Sequence, residues 1–395
     1  MNQRLCAAVV LMLIAATVPL SAQRIKLPMG LKELEARAGQ DSLDAAAHYN
    51  VALAYWNEKR YDDAERELKS ATTMDPKFAE GYLALAYLPY ARRPKLWAEE
   101  SRDKVPSEWQ QALEDSDRMY RRAFLLNPLV DLRIAGAITP PRDPLWETLY
   151  PDVYEFYFQA FDDMLRGDYE QAYGRFVKLH RERRLAGPGQ GKLPMSVYWF
   201  EGLAAAHTGR WNEADQSFER LIKDSEEFEK KHQDDLIRIP LRTNEYRYFL
   251  ASIRHSSGST EEAMKLYRET LEKDIGLYMA HVQMANIYEG QRQYPEAIEE
   301  RKRAVDANPD DASLLTDLGV TTGKAGKFAE AEEILQRAGE ANPRDVRVAF
   351  WTGLCQAEQG KSEAAKASFT RFLALAPSRW DKQIGIAKQR LATLQ

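Results

Sequence analysis

The sequence predicts an all-α fold, a right-handed α-solenoid of antiparallel helix pairs finished by a C-terminal capping helix. Three observations carry this expectation. Prolines recur every 34 residues (Pro309, Pro343, Pro377), small residues recur in register with them, and an amphipathic stretch follows the last proline. Composition agrees: 395 residues that are 44% apolar and 29% charged describe a soluble folded chain, which excludes disorder and a multi-span membrane protein. Lys plus Arg number 55 against 60 Asp plus Glu, with the signs interspersed and a net charge of -5, which argues against nucleic acid as a partner.

Residues 1–22 read as an export signal. Arg4 is followed by an apolar run from Leu5 to Val18, then Pro19, Leu20, Ser21 and Ala22 before the polar Gln23. An uncleaved signal anchor in the inner membrane is the alternative, because Leu20 stands where a small residue is preferred and the apolar run approaches a short span. Cys6 precedes the run, so it does not resemble a lipid anchor. Cleavage leaves Cys355 alone, so the exported protein holds its fold by packing without an intramolecular disulfide. Its expected place is the periplasm or outside the cell. Residues 23–44 form a linker with a short helix near Gly30 to Arg37.

The repeat is clearest in residues 244–377. Twelve positions before each proline stand Ala297, Ala331 and Ala365, and twenty-four before stand Ala285, Gly319 and Gly353. Small residues on both helices of a pair let the helices approach closely, and proline stops the second helix. Gly326 and Gly360 fall between helices, where positive φ suits glycine. On these residues the chain resembles the tetratricopeptide repeat family. The same spacing fits Ala52, Tyr55, Ala64, Leu68, Ala71 and Pro76.

A second unit opens with Tyr82, Leu85 and Ala86 and closes with Tyr120, Ala123 and Pro128, so residues 45–128 hold two units with an insertion at about 90–106. Residues 129–243 hold two degenerate units with long connectors, marked by Ala160, Ala172 and Phe176 and by Gly202, Ala214 and Phe218. The fifth unit is marked by Ala251, Ala263 and Tyr267. Eight units result. In residues 378–395, Ser378 and Asp381 read as a capping box before a helix carrying Trp380, Ile384, Ala387, Leu391 and Leu394.

Patterns that could carry chemistry are weak. The loop from Ala186 to Lys192 looks like a phosphate-binding loop, but Leu193 stands where Ser or Thr would hold magnesium. Six histidines lack close ligand spacing, and His48 and His281 fall on large packing positions. Adjacent carboxylates such as Asp162 with Asp163 point about 100° apart on a helix and cannot act as a facing acid and base. Cys355 sits at a small buried position and reads as a core thiol. Arg92, Arg93 and Lys95 with the basic run at His180 to Arg184 read as solvated loop edges. No catalytic residue, metal ligand or cofactor is assigned.

The resemblance implies that two neighbouring positions on each first helix face the inner groove of the solenoid. These carry Tyr49 and Asn50, Tyr157 and Phe158, Trp199 and Phe200, Tyr248 and Phe249, and Phe350 and Trp351, with Trp56 added on the first of these helices. The alternative is that the rings pack between repeats. Units six and seven depart from the aromatic pattern with Val282 and Gln283, then Thr316 and Asp317. The groove also lacks the lysine-rich arrangement with which some family members grip a C-terminal carboxylate.

Aromatic side chains give large contact area at low entropic cost. The expected function is therefore a non-enzymatic scaffold that holds a peptide or partner protein in the groove. A glycan or small ligand on the same rings is the alternative, and an enzyme is the least favoured reading. A membrane enters only through the uncleaved anchor, and the oligomeric state is not legible.

Overall fold

The computed structural model describes residues 25–92, 107–136, 153–185, 193, 195–231 and 242–394. Residues 1–22, read as an export signal, residues 93–106 of the expected insertion, the glycine-rich loop at 186–192 and the side chain of Phe158 lie outside the described residues. Within them every regular element is a helix.

A short helix, α1 (Leu31–Gln40), leads into pairs α2 (Ala45–Asn57) with α3 (Tyr61–Met74) and α4 (Ala79–Arg92) with α5 (Ser107–Leu126). After the single turn α6 (Arg133–Gly136) come α7 (Val153–Arg166) with α8 (Tyr169–Leu185) and α9 (Met195–His207) with α10 (Trp211–Lys231). Then follow α11 (Thr243–Ser256) with α12 (Thr260–Lys273) and α13 (Met279–Gly290) with α14 (Tyr294–Ala307). The last pairs are α15 (Ala312–Lys324) with α16 (Phe328–Ala341) and α17 (Val346–Glu358) with α18 (Ser362–Leu375), and α19 (Asp381–Thr393) covers the end. Successive pairs pack on one another, as an α-solenoid requires, except that the second meets the third through the turn α6.

The small positions act as the spacing requires. A Cβ added at Gly202 would lie 2.5 Å from the Phe218 ring, at Gly319 2.7 Å from Leu335, and at Gly353 2.9 Å from Phe369. Turns within the pairs carry positive φ at Gly209, Gly258, Gly326 and Gly360, and the same conformation is forced on Lys59 and Arg292. Asp44, Asp311 and Asp345 cap α2, α15 and α17 by accepting from backbone N–H groups two residues on.

Two local readings are corrected. Ser378 and Asp381 make no capping box: α19 begins at Asp381 without a side-chain cap, and the Ser378 hydroxyl donates to Asp41 at 2.6 Å. The helix α4 runs through Pro89 and Tyr90 to Arg92, so residues 90–92 of the stretch read as an insertion are helical. Arg92 is held by Asp62 and Glu65 of α3, both at 2.6 Å.

The Ser378 contact belongs to a larger closure, in which the first unit docks on the last two. Leu43 packs into the cluster of Val346, Phe350, Phe372 and Trp380. Arg379 Nε lies 2.7 Å from Asp44, and the Asn342 amide donates to the Thr73 carbonyl at 3.0 Å. Lys77 Nζ lies 2.7 Å from the buried Asp317.

Candidate partner-binding site

The inner-face positions meet the chain's own second unit. Phe124 of α5 is buried against Trp199 of α9, with ring centroids 5.6 Å apart, and against Phe249 of α11 at 6.1 Å. One residue on, the Leu125 carbonyl accepts a hydrogen bond from Tyr248 Oη at 2.5 Å. Gln283 of α13 donates to the same hydroxyl at 3.2 Å. Arg122 reaches Asp311 at 2.6 Å and bonds the Tyr278 hydroxyl. A helix therefore lies along the inner face of α9, α11 and α13, and it comes from the protein itself.

Beside this helix a cavity of about 310 Å³ stays open. Tyr120 and Phe124 of α5 form one wall, Met195, Ser196, Trp199 and Phe200 of α9 a second, and Tyr246 and Phe249 of α11 the third. The walls brace one another: Trp199 lies 5.0 Å from Phe249 and 5.7 Å from Tyr246, and Tyr120 lies 4.7 Å from Phe124. Arg121, Arg242 and Glu245 supply the polar rim. Arg121 Nε stands 2.9 Å from Glu245, and the Arg242 guanidinium lies over the Tyr120 ring at 5.7 Å.

Burial raises the Glu245 carboxyl above its ordinary value, outweighing the opposing pull of Arg242 and Arg121. Burial likewise pushes the Tyr120 phenol up to about 12 and raises Tyr246, so both hydroxyls stay neutral hydrogen-bonding groups. The volume stands at the small end of ligand pockets, which run from about 300 to 1,000 Å³. It admits a side chain or a compact ligand.

Of the residues the sequence singles out, Trp199, Phe200 and Phe249 line this cavity. Tyr248 and Phe249 are 0% and 3% exposed, Phe350 5% and Trp56 3%, so these four are core side chains and do not form an open groove. Their neighbours explain the burial: Tyr248 faces α5 and Tyr267, Phe350 packs on Phe369 and Phe372, and Trp56 meets the edge of Tyr61. Tyr49 packs edge-on to Phe78 at 5.2 Å, and burial raises its phenol well above the ordinary range. Asn50 is half-buried on α2. Half-buried Tyr157 donates to Ser196 Oγ at 3.1 Å. Half-buried Trp351 packs on Phe350 and lies under Lys324 Nζ at 5.7 Å.

Sequence reasoning missed Tyr120, Arg121 and Phe124 because they lie on a second helix, which the repeat pattern does not direct inward. Arg242 and Tyr246, also missed, share one helical face with the recognised Phe249 at steps of four and three, a signal that could have found them.

The other candidates resolve into local contacts. His48 and His281 each place Nδ1 2.6 Å from a glutamate on the paired helix, Glu67 and Glu300. Cys355 is buried, and burial pushes its thiol up to about 11, which makes it a poor nucleophile. Among the described residues there is no group of three His, Cys, Asp or Glu that could hold a metal ion, and no helix is long and apolar enough to cross a membrane.

Comparison with known proteins places two stretches, residues 45–78 and 316–379, in tetratricopeptide repeat family models. No curated protein matches the chain. Among solved structures it is similar to the C-terminal part of a TPR repeat-containing protein from Cytophaga hutchinsonii, at 13% identity over 62% of this chain and 87% of that one, with a TM-score of 0.48. A MamA fragment from Desulfovibrio magneticus shares 17% identity over 46% of this chain and 94% of its own, with a TM-score of 0.37. YrrB, described as a TPR protein with an unusual peptide-binding site, shares 24% identity over 42% of this chain and 80% of its own, with a TM-score of 0.34.

Proposed function

We propose that this tetratricopeptide repeat protein is a non-enzymatic interaction scaffold that seats an apolar side chain of a partner protein in the cavity between α5, α9 and α11. The cavity itself carries the reading. Its walls are aromatic, its rim charges are already paired, and its volume suits one anchoring side chain. Support also comes from the architecture, since stacked repeats present extended inner surfaces suited to binding. A glycan has less support, because the Trp199 ring is engaged by Phe124, Phe218, Tyr246 and Phe249.

The test removes or fills the cavity without stripping the core. Phe200→Ala and Ser196→Trp are compared with the parent in affinity capture from the envelope fraction, with circular dichroism as the folding control. Loss of the same captured protein by both helical variants supports the reading, and retention by both overturns it. The proposed place of action is the periplasm or outside the cell, supported by the signal pattern of residues 1–22, with an anchored form as the alternative. Cell fractionation with N-terminal sequencing decides this, and a cytoplasmic chain retaining residues 1–22 would contradict export.

A further inference from the structure

The helix α5 occupies the inner face as a bound partner helix would. Its Phe124 ring packs against both Trp199 and Phe249, its Leu125 carbonyl accepts from Tyr248, and its Arg122 pairs with Asp311. Insertion of an aromatic anchor from a helix between facing helices is the helix-in-groove mode of recognition. The groove's charge continues the pattern: buried Asp317, six residues along from Asp311 on α15, accepts Lys77 from the loop that precedes α4.

From this arrangement we infer that the inner face of α9, α11 and α13, with the Asp311 cap of α15, is a helix-binding groove filled in cis by α5, and that the partner it fits is a helix carrying a cation two residues before an aromatic ring. Such a helix presents the chemistry of Arg122 and Phe124 and displaces α5 when the first two units swing away. The inference rests on the inner face being the binding surface. It goes beyond the open cavity to the part of the groove now covered.

The contacts that close the first unit on the end of the chain are mostly polar. Lys77 and Arg379 keep 42% and 47% exposed side chains, and the Asn342 and Ser378 contacts are exposed hydrogen bonds. Polar interfaces within a chain resemble transient ones. Loosening the closure therefore raises the fraction of molecules whose groove is empty, and apparent affinity for a helix in trans rises with that fraction.

A fluorescent synthetic peptide spanning residues 107–126 is titrated into the full chain and into the Lys77→Ala, Arg379→Ala double variant. The double variant is expected to bind it about tenfold more tightly than the parent chain. The same peptide bearing Arg122→Glu is expected to bind neither. Equal affinity for both proteins, with helical circular dichroism retained, overturns the inference, as does unimpaired binding of the Arg122→Glu peptide. If the double variant loses its helical signal, hydrogen exchange on the parent chain decides: saturating peptide must speed exchange of residues 107–126, and unchanged exchange overturns the proposal. These readouts need no outside partner, so their failure leaves the capture test of the open cavity standing.

Discussion

Lys77 Nζ sits 2.7 Å from the carboxylate of Asp317, although 240 residues separate the two in sequence. Asp317 occupies one of the positions that the family resemblance expects to face inward, and Arg347 at 3.0 Å and Arg301 at 3.7 Å complete its surroundings. The contact ties the first repeat to the seventh, which makes the closure of the solenoid a property of charge as well as packing.

Burial alone would raise the Asp317 carboxyl, but Lys77, Arg347 and Arg301 outweigh it and hold the group at about 2. Removing the carboxylate breaks its buried contacts with Arg347 and Arg301, which keep Asp345 and Asn286 as partners, so Asp317→Ala is expected to cost about 3 kcal/mol in urea unfolding, the low end for a broken buried pair. Lys77→Ala should cost no more than about 1 kcal/mol, because the lysine is partly exposed. The folded value lies below the ordinary value of 3.8, so this carboxylate's contribution is present above that pH. It is lost as pH falls toward about 2, and Asp317→Asn should flatten that part of the stability curve.

His207 stacks on Tyr169 with ring centroids 3.8 Å apart and planes within 3°. Burial lowers its imidazole to about 4, against a smaller opposing effect of Asp131. The fold therefore keeps the ring neutral while the unfolded chain takes up a proton near the ordinary value of 6.5. Stability is expected to fall as pH drops from about 6.5 toward 4. Substituting His207→Phe keeps a stacking ring and removes this slope, which thermal melts at pH 7 and pH 5 would register.

The close helix approach at Gly202 and Gly319 gives a third expectation. Ala at either position meets Phe218 or Leu335 inside contact distance, so each substitution should cost about 1 to 3 kcal/mol by denaturant titration. Arg292 adopts φ of 60°, a conformation that costs a side-chain residue about 1 kcal/mol. Arg292→Gly should therefore leave stability unchanged or raise it slightly in the same titration.

Much of the fold was legible because the repeat is written in short-range chemistry: a small residue where helices touch, a glycine where φ is positive, a proline where a helix stops. The site was legible only in part. Trp199 and Phe200 follow the pattern of inner-face positions, but nothing at those positions reveals that Phe124 of an earlier unit will cover them. Arg122, Phe124 and Leu125 lie on a second helix, where the repeat pattern predicts packing within the pair. Ser378 shows the same limit: its local spacing suggests a cap, yet Asp41, 337 residues away, takes its hydroxyl. Contacts between distant units depend on how repeat angles accumulate, and no single window of sequence records that sum.

The most direct measurement of this closure is a spin-label distance between Lys69→Cys and Arg344→Cys, two residues that line one polar cleft between the first unit and the seventh-to-eighth-unit turn. Replacing Cys6 and Cys355 with alanine keeps the labelling specific. Closure predicts a single narrow distribution at the short end of the measurable range. A long or broad distribution in a helical protein would contradict it, and with it the occupation of the inner face by α5.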